Sequence, residues 1–149
     1  MEVLLGRGLD PDTVDTVTSA PLWELAFRSG YQHVVSKFAA AGADLDRSDE
    51  RGSTVLHRTV GAGPDAAPVL QLLDLGAEID ARDQFGWTAL HVASAHGYAD
   101  SVRVLLARGA SRDLLTAHGK SALDFAVANR RADVVELLSE RNPLGRADG

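Results

Sequence analysis

The sequence predicts an all-α fold: an α-solenoid of stacked helix-turn-helix repeats with hairpin-like connecting loops. Three observations carry that prediction. The first is a period, because Gly52, Gly86 and Gly119 stand 34 and 33 positions apart, as do Gly42, Gly76 and Gly109. The second is agreement of residue type at fixed offsets: Thr54, Thr88 and Ser121; Leu56, Leu90 and Leu123; Val35, Val69, Val102 and Val135; Phe38, Leu72, Leu105 and Leu138. The third is local, since each unit reads as a capped helix, a break, a second helix with an apolar stripe and a terminal glycine. Self-similarity at such a period marks an array whose units bury their apolar faces on one another.

Taken in order, Leu4-Leu5 and Gly8 lie 34 positions before Phe38-Ala39 and Gly42, so the chain opens inside the second helix of a truncated repeat. That is either a reduced N-terminal cap or the cut end of a longer parent. Repeat one places Trp23 and Phe38 at helical core spacing. In repeat two the stretch Gly61-Ala62-Gly63-Pro64-Asp65-Ala66-Ala67-Pro68 holds one residue more than its counterpart in repeat three, so the first helix is expected to end early. Asp65 can cap the helix that follows, and Pro68 is tolerated in a first turn whose N–H groups lack intrahelical partners.

In repeat three Thr88 caps the first helix, and His91 three residues later can reach back as the acid of a capping box does. Gly97 breaks the chain before a second helix from about Ala99 to Ala107, and Gly109 supplies the positive φ that ends it. Val102, Leu105 and Leu106 form the apolar stripe of that helix, and 111–120 is the connecting loop. Repeat four pairs Ser121 with Asp124, carries Phe125 at core spacing, has Arg130 where a glycine is expected and Asn142 at the last helix end. Glu136, Glu140 and Arg141 give it the polar surface of a terminal cap. The expected organisation is a single domain over 1–141, with a partial repeat at 1–15, repeats at 16–48, 49–82, 83–115 and 116–141, and a polar tail at 142–149.

These units resemble ankyrin repeats, whose first helix opens with Thr-Pro-Leu-His-x-Ala. Repeat three offers Thr88-Ala89-Leu90-His91-Val92-Ala93, repeat two Thr54-Val55-Leu56-His57-Arg58-Thr59, and repeat four Ser121-Ala122-Leu123-Asp124-Phe125-Ala126. Repeat one is the divergent Pro21-Leu22-Trp23-Glu24-Leu25-Ala26. The resemblance spans about Val3 to Leu138 and implies that His57 and His91 are structural hydrogen-bonding residues.

Composition agrees with an ordinary soluble domain, at 45% hydrophobic and 24% charged residues. No apolar run is long enough for a membrane span, the start is too short for a signal peptide, and a monomer in the cytoplasm is expected. Residues 1–99 carry 7 Lys/Arg against 14 Asp/Glu, and 100–149 carry 8 against 7. An acidic chain lacks the phosphate-neutralising cations of a nucleic-acid binder, so DNA and RNA are not expected partners.

Chemistry is sparse. His33, His96 and His118 share no metal-ligand spacing and there is no cysteine, so neither a metal site nor a cofactor is expected. Ser94 beside His91 is not a nucleophile elbow, and Gly6-Arg7-Gly8 and Gly61-Ala62-Gly63 are too short for a phosphate loop. Asp44/Asp46 and Glu78/Asp80 recur at one place in successive repeats, which points to turn hydrogen bonding rather than an acid–base dyad.

The resemblance implies a non-enzymatic module that binds a protein partner through loop tips and the exposed, concave side of the first helices. On those positions fall Glu50 and Arg51; Arg82, Gln84, Phe85, Trp87 and His96; and Leu115, His118 and Lys120. Phe85 and Trp87 flank Gly86 on one tip, where large aromatics and Arg make interface hot spots. Trp87 alternatively packs along its own loop. Two other roles stay open: an inhibitor or neutralising subunit that covers the active site of an enzyme or toxin, and the targeting segment of a larger protein.

Overall fold

A computed structural model describes residues 13–18 and 20–140, without the side chain of Gln32. Readings that rest on Leu4, Leu5, Gly8, Arg141, Asn142 or the tail 142–149 lie outside the described residues. The described residues are all-α: eight helices and, apart from one isolated bridge between Val14 and Pro21, no extended pairing. The chain divides into two compact units, Met1–Leu45 and Asp46–Gly149.

The first unit contains one helical hairpin, α1 (Leu22–Arg28) and α2 (Gln32–Ala40). Trp23, Phe27, Val35 and Phe38 are buried in it. Gly30, at φ 84°, makes the reversal between the helices in a backbone region that side chains disfavour.

The second unit stacks three hairpins: α3 (Val55–Ala62) with α4 (Ala67–Asp74), α5 (Ala89–His96) with α6 (Ala99–Ala107), and α7 (Ala122–Ala128) with α8 (Ala132–Ser139). First helices pack on first helices, α3 on α5 on α7, and second on second, α4 on α6 on α8. The core is therefore a ribbon between two helical layers, built of Leu56, Val60, Val69, Leu72, Leu90, Ala93, Val102 and Leu105, all essentially inaccessible to water.

Local chemistry explains the helix starts. Thr54, Thr88 and Ser121 each form a capping box with His57, His91 and Asp124, satisfying first-turn N–H groups that have no intrahelical partner. Pro68 sits in the first turn of α4, and Asp65 Oδ1 accepts from the Ala67 N–H at 3.0 Å, just ahead of the helix.

One expectation is overturned. The first helix of repeat two does not end early: α3 and α5 are each 8 residues long. Gly61 continues the helix despite its low helical propensity, and the additional residue is taken up at Gly63, whose extended backbone (φ 168°, ψ 177°) leads into Pro64. At the other exception, Arg130 adopts the left-handed conformation that the register assigns to glycine, at φ 56°, and is the one non-glycine with positive φ among the described residues.

Candidate interaction surface

The tips of the second unit are held by one device used three times. Asp49 Oδ1 accepts from Arg51 and Ser53 N–H at 2.9 and 3.0 Å, and Asp83 Oδ1 accepts from Phe85 and Trp87 N–H, both at 2.9 Å. Thr116 Oγ1 takes the same place for His118 and Lys120 N–H at 3.3 Å. A short polar side chain folding the backbone two and four residues on is a turn-forming element; sequence reasoning missed it, and the 34- and 33-residue spacing of Asp49, Asp83 and Thr116 is the signal that would have found it. Against the cost of its partial burial, those N–H groups and the Arg58 guanidinium hold the Asp49 carboxyl below the usual aspartate range.

Successive tips are tied edge to edge. The Gln84 N–H donates to the Arg51 carbonyl and the Ala117 N–H to the Phe85 carbonyl, each at 2.9 Å. A Cβ on Gly52 would stand 2.8 Å from the Gln84 nitrogen, and one on Gly86 2.9 Å from the Ala117 nitrogen, so these left-handed glycines are also demanded by close approach. The paired acids also serve between repeats. Asp46 Oδ1 accepts from the Glu78 N–H at 2.6 Å, and Asp80 Oδ1 from the Ser111 N–H at 3.0 Å.

The histidines clamp the stack. His91 Nδ1 accepts from the Thr88 N–H at 3.0 Å, so it carries no proton there, and Nε2 donates to the Leu114 carbonyl at 3.0 Å. His57 does the same with Thr54 at 3.1 Å and the Trp87 carbonyl at 2.8 Å. Burial away from water pushes the His91 pKa below its ordinary value of 6.5.

Of the residues singled out for partner contact, Glu50, Arg51, Gln84, Phe85, Leu115, His118 and Lys120 are exposed at or beside the tips. Phe85 and Leu115, 50% and 48% exposed, are large apolar side chains held open by rigid loops. Arg82 is exposed as well, yet its guanidinium donates to the Leu115 carbonyl at 2.5 Å and so positions the next tip. Trp87 is half-buried, its ring 4.4 Å from that of Phe125 on α7. His96 lies at the far end of α5, about 12 Å from the tip by helical rise, where it stacks on Tyr98 at 5.1 Å. Val127, 58% exposed on α7, was not among the residues singled out, and its exposure differs from that of its register partner Ser94, which is fully buried.

Among the described residues no group of three His, Cys, Asp or Glu side chains could hold a metal ion, and no helix is long and apolar enough to cross a membrane.

Residues 62–146 match the family profile described as ankyrin repeats in three copies. The chain is 36% identical over 112 residues to protein phosphatase 1 regulatory subunit 27 of Mus musculus, covering 74% of this chain and 71% of that protein. The human protein of that name is 41% identical over 87 residues, 58% of this chain and 55% of the relative. Glycerophosphocholine phosphodiesterase gde1 of Schizosaccharomyces pombe is 37% identical over 109 residues, 72% of this chain but 10% of that enzyme. The chain thus spans about half to seven tenths of the two regulatory subunits and a small part of the phosphodiesterase. Repeats of this kind are in general protein–protein interaction modules.

Proposed function

This chain belongs to the ankyrin-repeat family, and from that premise we propose that it is a non-enzymatic binding module whose tips in the second unit grip a protein partner. The observation that carries this reading is the exposure of Phe85 and Leu115 on adjacent tips whose backbones are locked by Asp83, Arg82 and the Phe85–Ala117 hydrogen bond. A preorganised surface loses little conformational entropy on association, so two apolar anchors on tips that also expose Glu50, Arg51, Gln84, His118 and Lys120 can supply useful affinity.

The structure separates the two tip aromatics, and so does the test. Phe85→Ala is expected to weaken partner binding about tenfold or more with an unchanged Tm, since its ring leaves no buried cavity behind. Trp87→Ala is expected to lower the Tm as well, because it strips the ring from Phe125. Both would be measured by affinity capture from native lysate alongside thermal melts. Equal capture of the same proteins by the wild type and Phe85→Ala would sink the proposal.

The similarity to two phosphatase regulatory subunits favours a second reading, in which binding alters the activity of the enzyme bound. It predicts one-to-one association with a protein phosphatase 1 catalytic subunit and a changed rate of dephosphorylation. Association without a change in rate would leave a scaffold and remove the regulator.

A further inference from the structure

The segment that carries Leu115 is pinned from the repeat before it by two donors on successive carbonyls. His91 Nε2 donates to the Leu114 carbonyl at 3.0 Å and the Arg82 guanidinium to the Leu115 carbonyl at 2.5 Å. Arginine keeps its charge at every pH a folded protein meets, whereas histidine changes its own close to neutrality. Only one of the two pins can therefore be withdrawn by a proton.

The site accepts the neutral ring alone. Nδ1 takes the Thr88 N–H at 3.0 Å, and Thr88 and His91 are 0% and 1% exposed. A proton on Nδ1 would set donor against donor and leave a buried N–H without an acceptor. The Thr88 hydroxyl, 2.9 Å from Nδ1, already accepts from the His91 backbone N–H in the capping box.

The charges around the ring leave that cost standing. Burial resists the charged form and Arg82 adds to the resistance, against the Leu114 and Lys120 carbonyls and Asp83. The helices packed on α5 are α3, α6 and α7. On α3, His57 is bonded to Thr54 and the Trp87 carbonyl, and Arg58 is paired with Asp49. On α6, Asp100 and Arg103 are paired with each other. On α7, Phe125 meets the ring edge-on at 6.0 Å, and Asp124 accepts from the Ser121 N–H. Asp113, His118 and Lys120, on the pinned tip itself, are exposed. Each carboxylate among these groups is exposed or already engaged, Asp83 by the Phe85 and Trp87 N–H groups.

We propose that His91 is an acid-released latch. A proton from solvent taken on the Nδ1 lone pair breaks the bond to Thr88, the imidazolium swings out to water, and the Leu114 carbonyl is let go, leaving the segment pinned by Arg82. The regulatory consequence rests on the reading of Phe85 and Leu115 as the partner surface: acid unseats one of its two anchors. The latch itself does not depend on that reading and is tested without a partner.

Amide hydrogen exchange on the isotope-labelled full chain, corrected for the intrinsic rate at each pH, follows Thr88, Thr116 and Ala117, whose N–H groups are bonded while the latch is closed. Between about pH 7 and pH 5 their protection is expected to fall by up to about tenfold per pH unit, the slope of one proton taken up on opening. Val102 and Leu105, in the core, keep theirs. His91→Gln retains a capping-box side chain that does not titrate, so its protection is expected to be flat over the same range. His118→Gln changes an exposed position and is expected to retain the wild-type fall. Protection that stays level in the wild type, an equal fall in His91→Gln, a flat response in His118→Gln, or a fall shared by Val102 and Leu105 overturns the proposal.

Discussion

Repeats three and four carry different residues at the same three places: His91 against Asp124, Gly97 against Arg130, and Leu106 against Ser139. In repeat three each residue serves a neighbour. His91 reaches the Leu114 carbonyl on the following loop, Gly97 leaves room for Arg131, and Leu106 is buried. In repeat four each is satisfied locally. Asp124 accepts from Ser121 N–H at 2.9 Å and stops there, Arg130 takes the strained backbone itself, and Ser139 Oγ donates to the Val135 carbonyl one turn back at 2.6 Å. The Ser121 N–H, with the Ser121 hydroxyl, holds the Asp124 carboxyl below the ordinary range. The contrast teaches that cohesion in this unit comes from a few long side chains and stacked leucines that cross from one repeat to the next. Caps that only close their own helix add little to it.

The widest gap between the two repeats should appear in the core. Leu105→Ala is expected to cost about 2–5 kcal/mol in urea unfolding, because the side chain is wholly enclosed. Leu138→Ala, at the same register on the outermost hairpin described, should cost less. Equal losses would mean that the two repeats are equally enclosed.

Removing the clamp is the next largest effect. His91→Ala leaves the buried Thr88 N–H and the Leu114 carbonyl without partners, at about 1–3 kcal/mol. Asp124→Ala removes one helix cap, at about 1 kcal/mol. The two also differ in pH response. The folded state lowers the His91 pKa, so near neutrality and below the unfolded chain binds more protons and stability rises with pH. The contribution of neutral His91 is fully present above 6.5 and is lost as the pH falls below it towards the folded-state value. Melting curves taken between about pH 7 and pH 5 should therefore slope less in His91→Ala than in the wild type. Identical slopes would remove His91 as the titrating group.

The smallest effects concern the left-handed position. Gly97→Ala combines φ +77° with a Cβ only 2.6 Å from Arg131 Cδ, and should cost about 1–2 kcal/mol. Arg130→Gly should raise stability by up to about 1 kcal/mol, the relief of φ 56° being partly offset by the freer unfolded chain. A loss on Arg130→Gly would show that the arginine side chain stabilises the turn more than its backbone strains it.

Much of the fold was legible because its signals are local and repeated. The second helix expected from about Ala99 to Ala107 is α6 with those bounds, and the capping boxes at Thr88 and Ser121, the break at Gly97 and the left-handed Gly109 are all present. The length of α3 was misread, because one inserted residue does not say whether a helix shortens or the following turn grows. Among the site residues, Trp87 and Phe85 look alike in sequence, two residues apart on one loop. Only the position of Phe125 on the next repeat distinguishes the half-buried ring from the exposed one.

Period, helix caps and turn glycines follow from interactions spanning three to five residues, so the order of residues already contains them. Contacts such as Arg82 with Leu115, Asp80 with Ser111 and His57 with Trp87 join groups about thirty residues apart in the chain. Stacking alone brings those groups within hydrogen-bonding reach, and which aromatic and which arginine remain open to a partner is settled only there.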